Sequence, residues 1–332
     1  MTPSLRFAMG QPWLLRPAVM NDLGNLLVRH VASGAGVERA SEAEVAAIVG
    51  ARDRAREGKL SGRRSIGMMV DGDGVGSGED LNPRADLTGG FEVPVHVTAS
   101  GVAVMAMDGL LCKWASMVNG VSQPPGTPHA AAVAAMDRLT AMGARGMVRG
   151  CVLHCDSPGG TCAGHMDLAA AMERLSRAMP TVAFANDQAC SGMYWIAAMC
   201  DQVVLSSMAS VGSIGAFNYV DDSSEAFKKM GITRTIVGSN GEGGIKGQGT
   251  EGTPVSAEYI EQRNDEMRQY AGKFVDAVAS GRGVAREKAL SWATGRVWIG
   301  AQAVTAGLAD RVIETLPEVV RYVERELIAK AA

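Results

Sequence analysis

From Glu92 onward, short apolar runs alternate with stretches of helical periodicity. Val93–Val97 and Val102–Met107 are apolar runs of strand length, and Ala130–Met142 spaces its apolar residues as a helix does. Met147–His154 reads as a strand that runs into a turn at Asp156–Gly160, and Gly164–Met179 reads as a helix closed by Pro180. Thr181–Ala185 predicts a strand, Ser191–Cys200 a helix and Gln202–Ser206 a strand. Asp222–Met230 predicts a helix, Thr233–Val237 a strand, and Gly238–Thr253 a glycine-rich loop. Ser256–Ala279 is a long amphipathic helix with Ser256 as its cap, followed by helices at Arg286–Ala293, Ala301–Ala306 and Pro317–Ala331. Strands that alternate with helices predict an α/β fold of parallel strands with crossover helices.

The first 92 residues are different. Residues 1–50 predict a helical N-terminal extension, with helices over Val19–Val31 and Ser41–Gly50. Residues 51–92 are highly charged and then rich in Gly, Asp and Pro, which predicts a flexible linker or long loop. The run DGDGVGSGED lacks the ligand spacing of a calcium loop. The expected organisation is an extension (1–50), a linker (51–92), an α/β domain (93–315) and a C-terminal helix (316–332).

Composition narrows the function. The chain has 332 residues, 47% of them hydrophobic, and a net charge of −3, which offers no electrostatic footprint for nucleic acid. Six cysteines are too sparse for a disulfide scaffold and predict reduced thiols in a cytoplasmic compartment. No run of 18 apolar residues and no secretory leader is evident, so a soluble protein without a membrane anchor is expected.

Three glycine-rich corners carry the candidate chemistry: Ser157–Gly160, Ala189–Gly192 and Val211–Gly215. In α/β sheets, ligands bind at the carboxyl ends of strands. Gly159 and Gly160 allow close approach to backbone N–H groups, which suits an oxyanion hole and equally suits a plain strand-to-helix turn. The spacing matches no phosphate-binding fingerprint. Ser191 reads either as a helix cap or as a nucleophile. No histidine lies after His165, so a base drawn from downstream of Ser191 cannot be histidine, and a lysine could serve where burial favours its neutral form. Lys246 is isolated on the glycine-rich loop, whereas Lys228, Lys229, Lys273, Lys288 and Lys330 sit in helical or terminal contexts. Its plain reading is a surface charge. His154, Cys155, Cys162 and His165 are of metal-ligand type, but their spacing fits no zinc pattern, and neighbours on a strand face opposite ways.

HCDSPGGTCAG (154–164), NDQACSGMYWIAAMCDQVVLSSMASVGSIGAF (186–217) and GRVWIGAQAVTAGLADRV (295–312) together resemble the signal-peptide-peptidase A family of serine peptidases, whose fold is similar to the Clp protease and crotonase superfamily. QPWLLRPAVMNDLGNLL resembles the start of the family's phage prohead proteases. The resemblance implies a Ser-Lys dyad. Ser191 matches the nucleophile of an A-S-G-x-Y-W motif in which Cys190 replaces alanine, and Lys246 matches the base, within GGIKGQG instead of the usual G-x-x-K-D. It further implies oxyanion donors at Gly159 and Gly160, and a substrate groove near Ser157, Gly212 and Ser213, with Ser213 an accessory to the lysine. An alkaline optimum, protein or peptide substrates, homo-oligomers and no cofactor or metal follow as expectations. The expected role is trimming of scaffold or portal protein in the host cytoplasm or prohead interior. The alternatives are a cytosolic bacterial peptidase, a crotonase-like acyl-CoA enzyme and a non-catalytic capsid-assembly protein.

Overall fold

A computed structural model gives the architecture and describes residues 13–15, 93–113, 117–118, 121–122, 126–239, 241–242 and 244–328. The helices expected at 19–31 and 41–50, and the linker expected at 51–92, lie outside the described residues.

The main sheet is built from β1 (Trp13–Leu15), β2 (Val95–Val97), β3 (Val102–Cys112), β4 (Thr127–Pro128), β5 (Gly150–Thr161), β6 (Thr181–Cys190), β7 (Gln202–Leu205), β8 (Ser210–Gly212), β9 (Val297–Ile299) and β10 (Arg311–Val312). The helices are α1 (His129–Ala144), α2 (His165–Ala178), α3 (Gly192–Ala198), α4 (Ser224–Lys229), α5 (Ala257–Gly281), α6 (Arg286–Trp292), α7 (Ala301–Ala306) and α8 (Leu316–Tyr322). The strand order is β9–β8–β6–β5–β3–β2. β3, β5 and β6 are parallel and are joined through α1 and α2, the crossover arrangement that the alternation predicts. The sheet is nevertheless mixed: β2 on β3, β9 on β8 and β1 on β5 are antiparallel.

Both faces of the sheet are covered, which is why its strands read as continuous apolar runs. Cys151, Leu153 and Cys155 belong to the larger core, together with Met136 and Leu139 of α1 and Leu168, Met172 and Leu175 of α2. Val152, Val182, Phe184 and Val204 belong to a second cluster, closed by Val319 of α8 and by Val323 and Ile328 of a π-helical turn, Val323–Ile328. Each such side chain contributes about 1.5–3 kcal/mol on full burial. His154 lies 5.8 Å from Phe184, ring to ring, while Cys155 is buried in the larger core, so these neighbours do face opposite ways.

Besides the short strands β1, β8, β9 and β10, which no pattern predicts, three segments differ from expectation. Asp156–Gly160 is not a turn, because β5 runs through it to Thr161. Leu110 and Leu111 of β3 pair with Gly159 and Gly160, and Pro158 is accommodated at a bulge where Ser157 and Pro158 oppose Gly109. Thr233–Val237 forms no strand apart from Val237 itself, which pairs in the two-residue hairpin 237–238 with 241–242. Most of that segment is exposed, so its alternating pattern has no sheet to join. The C-terminal helix changes from α8 into the π-helical turn at Val323.

Gly160 is required by close approach. A Cβ built there would lie 1.6 Å from the Leu111 carbonyl oxygen, a backbone atom that cannot swing aside. Gly160→Ala should therefore cost about 3 kcal/mol or more. Urea unfolding reads this directly, and a midpoint equal to that of wild type would contradict the β3–β5 contact.

Candidate active site

The carboxyl ends of β5, β6 and β8 form one corner. β6 pairs with β5 along one edge and with β7 and then β8 along the other. The change of partner falls at Asn186–Asp187, which interrupt the β5–β6 ladder between Ala185 and Gln188. Gln188–Cys190 is thereby delivered between β5 and β8, and the chain turns into α3 at Ser191.

Ser191 makes this turn at φ 52°, ψ −125°, a conformation that costs a non-glycine residue of order 1–3 kcal/mol. It is held by its own backbone: its N–H donates to the Gly212 carbonyl at 2.7 Å, and its carbonyl accepts from Trp195 N–H at 3.1 Å. α3 beyond it is wholly buried, with Trp195 stacked on Phe274 of α5 at 5.1 Å and Tyr194 Oη donating to the Leu308 carbonyl at 2.8 Å. The Ser191 hydroxyl is unlike these neighbours. The residue is 1% exposed, and Oγ has no hydrogen-bond partner among the described residues. A strained backbone that presents an uncommitted hydroxyl is hard to explain as packing.

Register places the other residues of the corner. Ser157 is opposite Ala189 in the last pair of the parallel β5–β6 ladder, two residues before Gly159 on one chain segment and two before Ser191 on the other. Ser157 Oγ donates to the Gly109 carbonyl at 2.6 Å and accepts from Gly159 N–H at 3.2 Å, which fastens the bulge. One candidate oxyanion donor is thus engaged within its own strand. On the other side Gly212 is opposite Cys190. A Cβ on Gly212 would meet the Trp298 ring at 2.8 Å, which keeps this position bare. Ser213 follows at φ 54°, buried, with its N–H donating to the Arg296 carbonyl at 2.6 Å.

Lys246 does not share the burial of Ser191. It is exposed, and with Thr233, Arg234, Ile236, Thr250 and Thr253 it lines a cavity of about 830 Å³. It makes no hydrogen bond to Ser191 Oγ. Its loop is tied down on either side of Gly252 by Arg234, which donates to the Glu251 carbonyl at 2.5 Å, and by Ser223, whose Oγ accepts from Gly252 N–H at 2.8 Å. Gly247, immediately after the lysine, adopts φ 108°.

A group of side chains next to α3 was not legible as such in the sequence. His165, at the start of α2, packs its ring 4.9 Å from Trp195 and 5.4 Å from His129. Both His165 ring nitrogens, His129 Nε2 and Trp195 Nε1 are buried without a hydrogen-bond partner among the described residues. His129 Nδ1 lies 3.0 Å from the Ala163 carbonyl. Burial lowers His129 to about 4, opposed by the Ala163 carbonyl and Asp167. Burial, and then the proximity of His129, lower His165. A histidine in an unfolded chain titrates near 6.5, so between that pH and about 4 the unfolded state binds protons that the folded state refuses. The stabilisation is complete above pH 6.5 and is lost as the pH falls to about 4. For His129 this amounts to roughly 3 kcal/mol. Urea unfolding of wild type and His129→Gln between pH 7.5 and 4 should show a flatter pH dependence in the variant, whereas parallel curves would contradict the assignment.

Residues 173–327 match the family model described as peptidase family S49. This is the family that the three motifs resemble. The S49 match spans Ser191, Ser213 and Lys246. Over 263 residues, 77% of its length, the chain is 27% identical to capsid assembly protease C of Escherichia phage lambda. It is 29% identical over 221 residues, 66% of its length, to head-tail preconnector protein GP5 of Enterobacteria phage P21. It is 26% identical over 166 residues, 50% of its length, to protease 4 of Haemophilus influenzae. The chain covers 58%, 42% and 26% of these three relatives, respectively. Among solved structures, a membrane-bound stomatin-specific protease aligns with a TM-score of 0.40 and 12% identity, over 66% of this chain and 82% of the other. A candidate enoyl-CoA hydratase/isomerase of Acinetobacter baumannii aligns with a TM-score of 0.43 and 14% identity, over 72% and 82%. No helix among the described residues is long and apolar enough to cross a membrane.

Proposed function

We propose that the chain is a serine endopeptidase in which Ser191 is the nucleophile and Lys246 the general base. The observation that carries this reading is Ser191 itself: buried, strained at φ 52°, with an unpartnered hydroxyl at the carboxyl end of a parallel strand. Neutral Lys246 takes the Oγ proton as Oγ bonds to the substrate carbonyl carbon. The carbonyl oxygen becomes an oxyanion, stabilised by the N–H groups of Gly159 and Gly160. A donor of this kind contributes about 3–4 kcal/mol in related chemistry. Gly159 N–H leaves Ser157 Oγ, or is shared with it, to serve this role. As the C–N bond breaks, Lys246 returns the proton to the leaving amine, and water then hydrolyses the acyl-enzyme. Ser213 stands beside the dyad as an accessory, and Ser157 and Gly212 flank the groove.

Forming the dyad brings the Lys246 amine to Ser191 Oγ, to which it makes no hydrogen bond here. The lysine must be neutral to accept the proton, so activity rises with pH. The role in this reading is trimming of scaffold or portal protein by a homo-oligomer, in keeping with phage relatives named as a capsid assembly protease and a head-tail preconnector protein; the alternative is a cytosolic bacterial signal-peptide-peptidase-like protease. Mixing the purified chain with a candidate scaffold protein tests this. Fragments produced by wild type and not by Ser191→Ala support the reading, and equal processing by both removes Ser191 from it.

A further inference from the structure

β1 occupies a telling position. Gly159 and Gly160 pair with Leu110 and Leu111 of β3 on one edge of β5. On the opposite edge β6 accompanies β5 only as far as Ser157, opposite Ala189, before the chain turns off at Ser191. The last residues of β5 are thereby left with an open edge beside Ser191. That edge carries two adjacent glycines, with neither charge nor bulk to block another strand, and its N–H and C=O groups need partners. β1 takes it: Trp13, Leu14 and Leu15 run antiparallel opposite Thr161, Gly160 and Gly159. By this register Leu15 is opposite Gly159, two residues beyond the last β5–β6 pair, Ser157 with Ala189.

We propose that this edge is a docking site for an extended polypeptide and that the chain's own segment Trp13–Leu15 fills it, as a built-in competitor of any strand entering from outside. The inference rests on the reading of this corner as a peptidase site, since the edge borders the proposed nucleophile. An added strand pairs through main-chain hydrogen bonds, so many sequences fit the edge, and a segment of the same chain competes at an effective concentration above that of a dilute free peptide. The 1% exposure of Ser191 accords with a closed corner.

The test is direct binding, which needs no turnover. A fluorescein-labelled peptide of residues 10–18, GQPWLLRPA, is titrated into the full-length chain carrying Ser191→Ala, alone and combined with Leu14→Pro, Leu15→Pro or Leu14→Val. Proline removes an N–H and disfavours strand pairing, while valine keeps both. Successive N–H groups of a strand point to opposite edges, so one of the two prolines removes the N–H that faces β5, and that variant should bind the peptide about 10-fold more tightly than the Leu14→Val and parent chains, with unchanged thermal unfolding. Equal affinity in all four chains, or no binding in any, would overturn the proposal. Because the assay involves no cleavage, its failure is distinguishable from failure of the peptidase reading, which cleavage by the otherwise wild-type chain reports.

Discussion

Ser191→Ala should lower kcat/KM for an extended peptide about 10³-fold or more and leave the fold as stable as before. The stability half of the expectation comes from the structure: Oγ makes no hydrogen bond among the described residues, so its removal leaves none of them unpaired, and alanine inherits the same unfavourable φ of 52°. Ser191→Gly should be equally inactive yet gain about 1 kcal/mol, because glycine adopts this conformation without the steric cost. A residue whose replacement stabilises the protein while abolishing its activity is retained for chemistry. Peptide cleavage and urea unfolding on the three proteins settle the point. An active Ser191→Ala protein would end the proposed mechanism, and a destabilised one would show that the hydroxyl serves packing.

Lys246→Ala should be almost as severe, with a loss of about 10³-fold, since a serine hydroxyl without a base is a weak nucleophile. Lys246 is exposed on a loop, so its removal should leave unfolding unchanged. Two further readouts separate a base from a structural lysine. The double variant with Ser191→Ala should be no slower than Ser191→Ala alone, because groups that act as a unit are not additive. A small primary amine in the buffer should restore part of the activity of Lys246→Ala and none of that of Ser191→Ala. Full activity in Lys246→Ala would move the base elsewhere in the corner.

The alternation of apolar strands and amphipathic helices made the α/β core legible, because β3, β5 and β6 are covered on both faces and α1 and α2 carry their buried residues at helical spacing. The turn at Ser191 was legible because it is local: the strand before it and the helix after it are contiguous in sequence. What escaped was non-local. D-S-P-G-G has the composition of a turn, and it is pairing with distant partners, Leu110 and Leu111 of β3 and Leu14 and Leu15 of β1, that keeps Gly159 and Gly160 as strand. β8 and β9 are three residues each and separated by more than 80 in sequence, so neither carries a periodic signal. His129 and His165 come from the starts of two helices and meet Trp195 only through packing. The side on which β1 adds to β5 follows from where β6 departs, which no local pattern records.

The central claim is that an uncharged amine at position 246 removes the proton from Ser191. The rate of covalent labelling by a fluorophosphonate, measured against pH, tests it most directly. Wild type should label at Ser191 with a rate that rises along a single-proton limb toward alkaline pH, and Lys246→Ala should label slowly and without that limb. Superimposable profiles for the two proteins would contradict the account.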